Sequence, residues 1–243
     1  MTTTPHSLTL FGSVDLRGSG EAGARLLVQS KVVALLAYLS VPTVGRFVRR
    51  DTIVGLLWPE LDQARARKAL RQAVLAVRAE LGADALIGRG DEELALSADH
   101  VWCDVAAFTH ATDNGLLMQA LKLYGGDLMP GFFLADCAAF GQWLEDERAS
   151  ARERAAAASW ALAQHLETEN QLSDAAGMAR RSVKFSWTDE RALRRALTML
   201  DRLGDRAGAA RLYDEFSVRL QKELDVAPSD ETVRLIARIR AGA

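Results

Sequence analysis

The chain has 243 residues, which is enough for one large domain or two of ordinary size. Apolar residues make up 49% of it and charged residues 26%, as in ordinary globular proteins, so neither a largely disordered chain nor an integral membrane protein is expected. The net charge of −2 gives no global sign of nucleic-acid binding, so any such function has to come from a local patch.

The ends and the cysteines predict a cytoplasmic protein without a membrane segment. Residues 1–5 lack the basic start of a signal peptide, and the longest apolar run near the front, Val32–Tyr38, is too short to span a bilayer. Cys103 and Cys137 are far apart in a chain without an export signal, so we predict that both are reduced and buried.

The first part of the chain alternates between strand-like and helix-like patterns. Apolar and polar residues alternate over Leu8–Leu16, which predicts a strand, and three glycines after it predict a turn into a return strand over Arg25–Val28. Two helices are predicted next, one over Lys31–Leu39 and one from Asp51 to Leu57.

The next helix, predicted over Asp62–Leu81, has two unlike faces. Its apolar residues recur at helical spacing and form one buried stripe, namely Ala66, Leu70, Ala73, Val74, Val77 and Leu81. A rotation of about 100° per residue places a basic and amide-bearing set on the opposite side, namely Arg65, Lys68, Arg71, Gln72 and Leu75. Gly82 ends the helix.

This helix lies in a locally basic stretch. Residues 46–89 hold nine basic and five acidic residues, a net charge of +4, whereas residues 101–243 hold 18 basic and 21 acidic residues. A basic island in a near-neutral chain suits a local contact with phosphates, although charged helix faces are more often simply solvated.

A hairpin is predicted over Leu86–Leu96, where two apolar arms flank a Gly-Asp turn. Strands followed by three helices and a hairpin are the element order of a winged helix. We therefore predict a winged-helix domain, helical with small β-sheets, over residues 1–99.

After Asp99 the pattern is almost wholly helical. Helices are predicted over residues 104–111, 115–124, 138–169, 173–185, 189–203, 206–224 and 229–240. A weak repeat pairs Leu166 with Leu200 and Ala175 with Ala209, at the 34-residue period of tetratricopeptide (TPR) repeats. Residues 100–243 are therefore predicted to form an all-α, TPR-like array, which makes the fold class mainly α.

Several segments together resemble the SARP-type antibiotic-pathway regulators and their relatives, which carry an OmpR-like winged helix and a bacterial transcriptional activation domain. The segments follow the order of that family and cover nearly the whole chain: Ser30–Leu39, Leu56–Pro59, Ala66–Val74, Tyr124–Phe132, Trp143–Arg148 and Glu223–Thr232. Their shared order makes the resemblance more specific than any single motif.

The resemblance implies a transcription activator that binds direct repeats in double-stranded promoter DNA through its winged helix. It also implies that residues 100–243 form the bacterial transcriptional activation domain, which helps the protein dimerise and engage the sigma or alpha subunit of RNA polymerase. The residues themselves leave open whether the chain forms a homodimer.

The exposed side of the helix over residues 62–81 is the candidate reader of DNA, because an α-helix about 10–12 Å wide fits the major groove. Arg71 and Gln72 are the first candidates for base contacts, since arginine grips guanine and glutamine pairs with adenine there. Arg65 and Lys68 are candidates for a base or a phosphate contact. The alternative is an ordinary solvated helix face.

Six further basic residues are candidates for phosphate contacts: Lys31, Arg49, Arg50, Arg67, Arg78 and Arg89. The first three lie near predicted helix N-termini, which favour anions. The acidic residues Asp91, Glu92 and Glu93 lie at the turn of the predicted hairpin and oppose a strong contact between the hairpin and DNA.

Glu60, Leu61 and Asp62 connect the second and third helices, and the resemblance implies that this connection meets RNA polymerase. Two acidic side chains beside a stiff proline suit a basic surface of sigma. A simple loop is the alternative.

No catalytic residue, cofactor or metal site is predicted. The chain has no G-x-x-x-x-G-K-[ST] and no G-x-S-x-G motif, and its four histidines are not spaced as metal ligands. The alternative to a DNA-binding activator is a TPR-like sensor module that binds a protein or a ligand, as the N-terminal part of a larger regulator.

Overall fold

The computed structural model describes residues 6–18 and 20–242. Helices dominate, and the two small β-sheets that the described residues form all lie before residue 104, which confirms the predicted fold class. The chain divides into two compact units, one ending at Ala149 and the other beginning at Ser150. Within the described ranges, no helix combines the length and the apolar content needed to cross a membrane.

The first sheet joins the start of the chain to residues near position 100. Its central strand β1 (His6–Thr9) is antiparallel to β2 (Asp15–Arg17) and parallel to β6 (Val101–Cys103). Leu8 pairs with Leu16 on one side and with Cys103 on the other, and all three are buried.

The second sheet is the hairpin predicted over residues 86–96, extended by one short strand. The strand β5 (Glu93–Leu96) lies between β3 (Val48–Arg49) and β4 (Leu86–Arg89), and both pairings are antiparallel. The hairpin is therefore confirmed.

Apart from α1, which was not predicted, the helices of the first unit follow the predicted order. They are α1 (Glu21–Leu27), α2 (Ser30–Ser40), α3 (Arg50–Leu57), α4 (Gln63–Leu81), α5 (Asp104–Asp113), α6 (Leu117–Leu123) and the first part of α7 (Ala138–Thr168), with a short 3-10 turn at Ala83–Ala85. Helix α2 is buried along most of its length, and α4 packs against α1, α2 and α3.

The prediction of one strand over Leu8–Leu16 is wrong. The chain reverses at Gly12, whose φ of +78° lies in the left-handed region that a residue without a side chain adopts at no steric cost. Two short strands, β1 and β2, form in place of a single long one.

The return strand predicted over Arg25–Val28 is also wrong, because this segment is the end of α1. Both edges of β1 are occupied, by β2 and by β6, so this segment does not pair with the strand that it was predicted to follow. Helix α1 instead holds α4, since Arg25 donates two hydrogen bonds to Glu80, at 2.9 and 2.7 Å.

A buried carboxylate ties the first sheet to α5. Asp104 accepts hydrogen bonds from the backbone N–H groups of Leu10 (2.9 and 3.1 Å), Phe11 (3.0 Å) and Val105 (2.8 Å). Burial raises the pKa of the Asp104 carboxyl, and the backbone N–H donors oppose this rise by favouring the charged form. The carboxylate thus supplies an acceptor for two backbone N–H groups that directly follow β1.

The same stretch of chain anchors the loop after α6. Met129 N–H donates to Leu10 O at 2.8 Å, and Gly12 N–H donates to Asp127 O at 2.9 Å. From the other side, the guanidinium of Arg148 donates to the carbonyl groups of Leu128 and Met129. The backbone of the loop is therefore fixed from both sides, and the side chains of Leu128 and Met129 are buried.

Both cysteines are buried and form no disulfide, as predicted. Burial raises the pKa of the Cys103 thiol to about 12, because the thiolate would lose its hydration. Cys103 is therefore a neutral packing residue.

The second unit consists of helices that pack on one apolar core. It contains the later part of α7, followed by α8 (Leu172–Phe185), α9 (Glu190–Arg202), α10 (Arg206–Leu224) and α11 (Asp230–Ala241). Consecutive helices from α8 onwards pack against each other, and α11 also packs against α9. The boundaries agree with the predicted helices to within one or two residues, and the TPR-like pairing of helices is confirmed.

We expect replacement of Asp104 by alanine to destabilise the first unit. The N–H groups of Leu10 and Phe11 would stay buried without an acceptor, which costs about 2–4 kcal/mol in the free energy of unfolding. Urea denaturation followed by circular dichroism measures the loss. Asp99→Ala, at an exposed position, is the matched control and should change stability by less than about 0.5 kcal/mol; equal effects of the two substitutions would contradict this role for Asp104.

Candidate nucleic-acid interface

Helix α4 has the two faces that its sequence predicts. Asp62 caps its first turn by accepting a hydrogen bond from the N–H group of Arg65 at 2.9 Å, and Gly82 follows its last residue. All six residues of the predicted stripe are buried, namely Ala66, Leu70, Ala73, Val74, Val77 and Leu81. This burial fixes the rotation of α4 about its axis.

The opposite side of α4 faces solvent. Lys68, Arg71 and Gln72 are exposed, and none of them forms a hydrogen bond or an ion pair with another described residue. Arg65 pairs only with the neighbouring Asp62, at 3.3 Å. Leu75 adds an apolar side chain, 56% exposed, to this otherwise polar surface.

A cleft of about 490 Å³ lies between α4, the start of α3 and the turn of the hairpin. Four arginines line it, which the sequence alone did not bring together: Arg50, Arg67, Arg71 and Arg78. The Nε atom of Arg50 is buried and has no hydrogen-bond partner in the described part of the chain. The cleft therefore concentrates positive charge on one flank of α4.

Acidic side chains moderate this charge, as the composition of the turn predicts. Asp91 and Glu92 line the same cleft, and Glu92 lies 3.7 Å from Arg49. Arg89 forms an ion pair with Glu93, and this hydrogen bond lowers the pKa of the Glu93 carboxyl. The hairpin turn thus carries its own counter-charges.

Two of the predicted phosphate contacts already have internal partners. Arg78 donates to the carbonyl of Leu86, at 2.7 and 3.2 Å, and so joins α4 to the first strand of the hairpin. Arg67 donates to Asp51 of α3, at 2.8 and 3.2 Å. Both residues therefore stabilise the packing around the cleft.

Lys31 lies away from the arginine cleft. Its half-buried ammonium group donates to the carbonyl of Leu57 and to Sγ of Cys137 (2.9 Å), and it lies 3.6 Å from Glu60. Lys31 lines a separate groove of about 790 Å³ on the other flank of α4, together with Gln72.

The predicted polymerase-contacting segment forms the tight connection between α3 and α4. Glu60 is exposed and pairs with Lys31, Leu61 is half-buried, and Asp62 is the helix cap. The two carboxylates therefore have structural partners in addition to their exposure to solvent.

Sequence reasoning missed Phe133, which is 79% exposed and lines the groove beside Gln72. No local pattern could have found Phe133, because its place beside Gln72 depends on contacts between distant parts of the chain. Arg50 was a candidate from the sequence, but its partial burial in the cleft was not predicted.

Comparison with known proteins assigns the chain to a family. The family model described as the bacterial transcriptional activator domain matches residues 103–240, which is more than half of the chain. The chain belongs to this family. The resemblance to SARP-type regulators inferred from the sequence motifs is thereby confirmed, and members of the bacterial transcriptional activator domain family are transcription regulators. No curated protein matches the chain.

A solved structure has a similar fold. Mycobacterium tuberculosis EmbR, solved in complex with a low-affinity phosphopeptide, is 20% identical and superposes with a TM-score of 0.61. The match covers 97% of this chain and 65% of that chain, so the present chain spans slightly less than two thirds of the length of that protein. This similarity supports the arrangement of a winged helix followed by a helical array.

The partners of the arginines predict which of them have structural roles. Arg78→Ala should lower the free energy of unfolding by about 1–2 kcal/mol, because the Leu86 carbonyl loses a charged donor. Arg71→Ala, in the same helix, should change it by less than about 0.5 kcal/mol, since Arg71 has no partner among the described residues. Urea denaturation of both variants tests the distinction, and an equal loss would show that it is wrong.

Proposed function

We propose that the chain is a sequence-specific DNA-binding transcription activator that reads the major groove of promoter direct repeats with α4 and recruits RNA polymerase. The observation that carries the proposal is the solvent side of α4, where Lys68, Arg71 and Gln72 lie exposed with no described partner. Side chains without internal partners are free to form base contacts without breaking existing hydrogen bonds.

Arg71 and Gln72 are the proposed base-reading residues, because they project from the middle of the exposed side. Arg65 and Lys68 would add phosphate or base contacts nearer the start of the helix. The exposed Leu75 is suited to contact a thymine methyl group.

The six residues proposed to contact phosphates differ in the internal partners that they would lose on binding DNA. Arg50 lines the cleft, and its side chain forms no hydrogen bond or ion pair with another described residue, so it would give up no partner to bind a phosphate. Arg49 pairs with Glu92 only at 3.7 Å and is two-thirds exposed. The other four would exchange an existing partner for a phosphate, and we expect them to contribute less: Lys31, Arg67, Arg78 and Arg89.

The domain assignment is part of the proposal. Residues 1–99 would supply the DNA contacts, and residues 100–243 would form the activation domain. We propose that Glu60, Leu61 and Asp62 meet the sigma or alpha subunit of RNA polymerase, and that the protein acts in the cytoplasm, where its DNA lies. Direct repeats suit a homodimer with one α4 for each repeat, which sedimentation of the DNA-bound protein would test.

The base-reading role is tested by replacing Arg71 and Gln72 together with alanine. Each lost base contact costs about 1–3 kcal/mol, so affinity for the specific sites should fall roughly 30-fold or more. Genomic footprinting should show loss of discrete sites, while affinity for unrelated DNA falls only slightly because a single charge is removed.

The matched control for this experiment is Arg211→Ala with Gln164→Ala, two exposed residues of α10 and α7. It removes the same side-chain types and should leave the footprint intact. Unchanged occupancy by the Arg71 and Gln72 variant would refute the reading surface. Absence of any salt-dependent DNA binding by the unmodified protein would favour the alternative, a TPR-like sensor module.

The polymerase contact is tested by Glu60→Gln with Asp62→Ser. Serine also caps helices, so this variant keeps the α4 cap while losing both charges. Loss of two surface charge contacts should reduce activated transcription in vitro about threefold to tenfold. DNA affinity should not fall, because the substitutions remove acidic partners of Lys31 and Arg65 and leave both cations in place. Asp62→Ala is the control for capping, because it should cost about 1 kcal/mol of stability. Full activation by the stable Glu60 and Asp62 variant would rule out this contact.

A further inference from the structure

The helices of the second unit lie in two layers. Glu167 of α7 accepts two hydrogen bonds from Arg202 of α9, both at 2.7 Å, and Glu190 of α9 accepts hydrogen bonds from Ser229 and Thr232 at the start of α11. Helices α7, α9 and α11 are therefore successive neighbours in one layer. Helices α8 and α10 form the other, as expected for a 34-residue repeat of helical pairs.

A groove of about 630 Å³ lies between α9 and α11. Two arginines from each helix line it, namely Arg194, Arg195, Arg234 and Arg238. Leu235 contributes an apolar wall and packs on the core of the unit, and Glu231 is the acidic residue that lines the groove.

The positive charge of this groove is largely uncompensated. Arg194 forms ion pairs with both nearby acidic residues, at 3.2 Å from Glu231 and 3.8 Å from Glu190. In contrast, Arg234 and Arg238 are exposed, and their side chains form no hydrogen bond or ion pair within the part of the chain that the structure describes. Three guanidinium groups, those two and Arg195, thus face the groove without a carboxylate partner.

Arg195 is held in position by an aromatic ring. Its guanidinium carbon lies 4.6 Å from the ring centroid of Trp160 on α7, which is a cation–π contact. Such stacking orients the guanidinium plane and leaves its N–H groups available at the edge. Less side-chain entropy is then lost when a ligand binds.

We propose that this groove binds an acidic peptide segment of a protein partner. Carboxylates of the segment would accept paired hydrogen bonds from Arg195, Arg234 and Arg238, and an apolar side chain would pack on Leu235. The groove combines arginines from two helices with one apolar side chain, which suits a single peptide segment that carries carboxylates and an apolar residue. The proposal does not depend on the DNA-reading role of α4.

The test uses the full chain and a short fluorescein-labelled peptide of aspartate and glutamate residues with two leucines. A peptide of the same length with asparagine and glutamine in place of the acids measures binding without charge. Fluorescence anisotropy should show saturable binding of the acidic peptide alone. The double variant Arg234→Gln with Arg238→Gln should raise its Kd roughly tenfold or more, since two charge-assisted contacts are lost.

The matched control is Lys184→Gln with Arg211→Gln, which removes two exposed charges from the groove between α8 and α10. We expect it to change the Kd less than about twofold, because charges outside a contact act only through a screened field. An equal rise in Kd in the two double variants would show that only net charge matters, and it would overturn the proposed site. A short DNA duplex is the third probe; a greater loss of duplex binding than of peptide binding in the Arg234 and Arg238 variant would assign the groove to nucleic acid and also overturn the proposal.

Discussion

The burial of one stripe of α4 is the constraint on which the rest of the first unit depends. Leu70, Val74, Val77 and Leu81 each contribute about 1.5–3 kcal/mol when their side chains leave water. A half turn of the helix about its axis would expose all four and bury the charges of Lys68 and Arg71 without partners, which is far more costly. The direction in which α4 presents its polar side chains is therefore set by the core and does not require a ligand.

The arginines around α4 fall into two groups that the sequence does not distinguish. Arg78 and Arg89 hold the hairpin through a carbonyl and a carboxylate, and they act as parts of the fold. Among the residues that the structure describes, Arg71 has no such partner and Nε of Arg50 has no acceptor. Acidic residues at the hairpin turn lower the net charge of the cleft, which weakens its general attraction to a phosphate backbone. Contacts to bases depend more on geometry than on net charge, so they are affected less.

Local periodicity predicted the helices well, because an apolar stripe and its caps lie within one segment. The α4 stripe and the helices from α7 onwards are examples. The strands were less predictable, since β1 pairs with β6, more than 90 residues later in the chain, and a pairing over that distance leaves no local pattern. The pairing of Lys31 with Cys137 likewise joins residues 106 positions apart and has no local signature. The candidate base contacts were therefore readable from the sequence, whereas the internal partners of the phosphate candidates were not.

The compact unit that contains α4 extends beyond the proposed boundary of the DNA-binding domain at residue 99, because long-range contacts join later residues to it. The family model begins at residue 103, yet β6 and α5 belong to the compact unit that ends at Ala149. A fragment ending at residue 99 would lose the partner strand of β1 and the Asp104 carboxylate, and the N–H groups of Leu10 and Phe11 would lose their acceptor. The beginning of the activator domain thus completes the sheet that starts the chain. The part of the chain that we propose to contact DNA through α4 therefore depends for its stability on residues that the family model places in the activator domain.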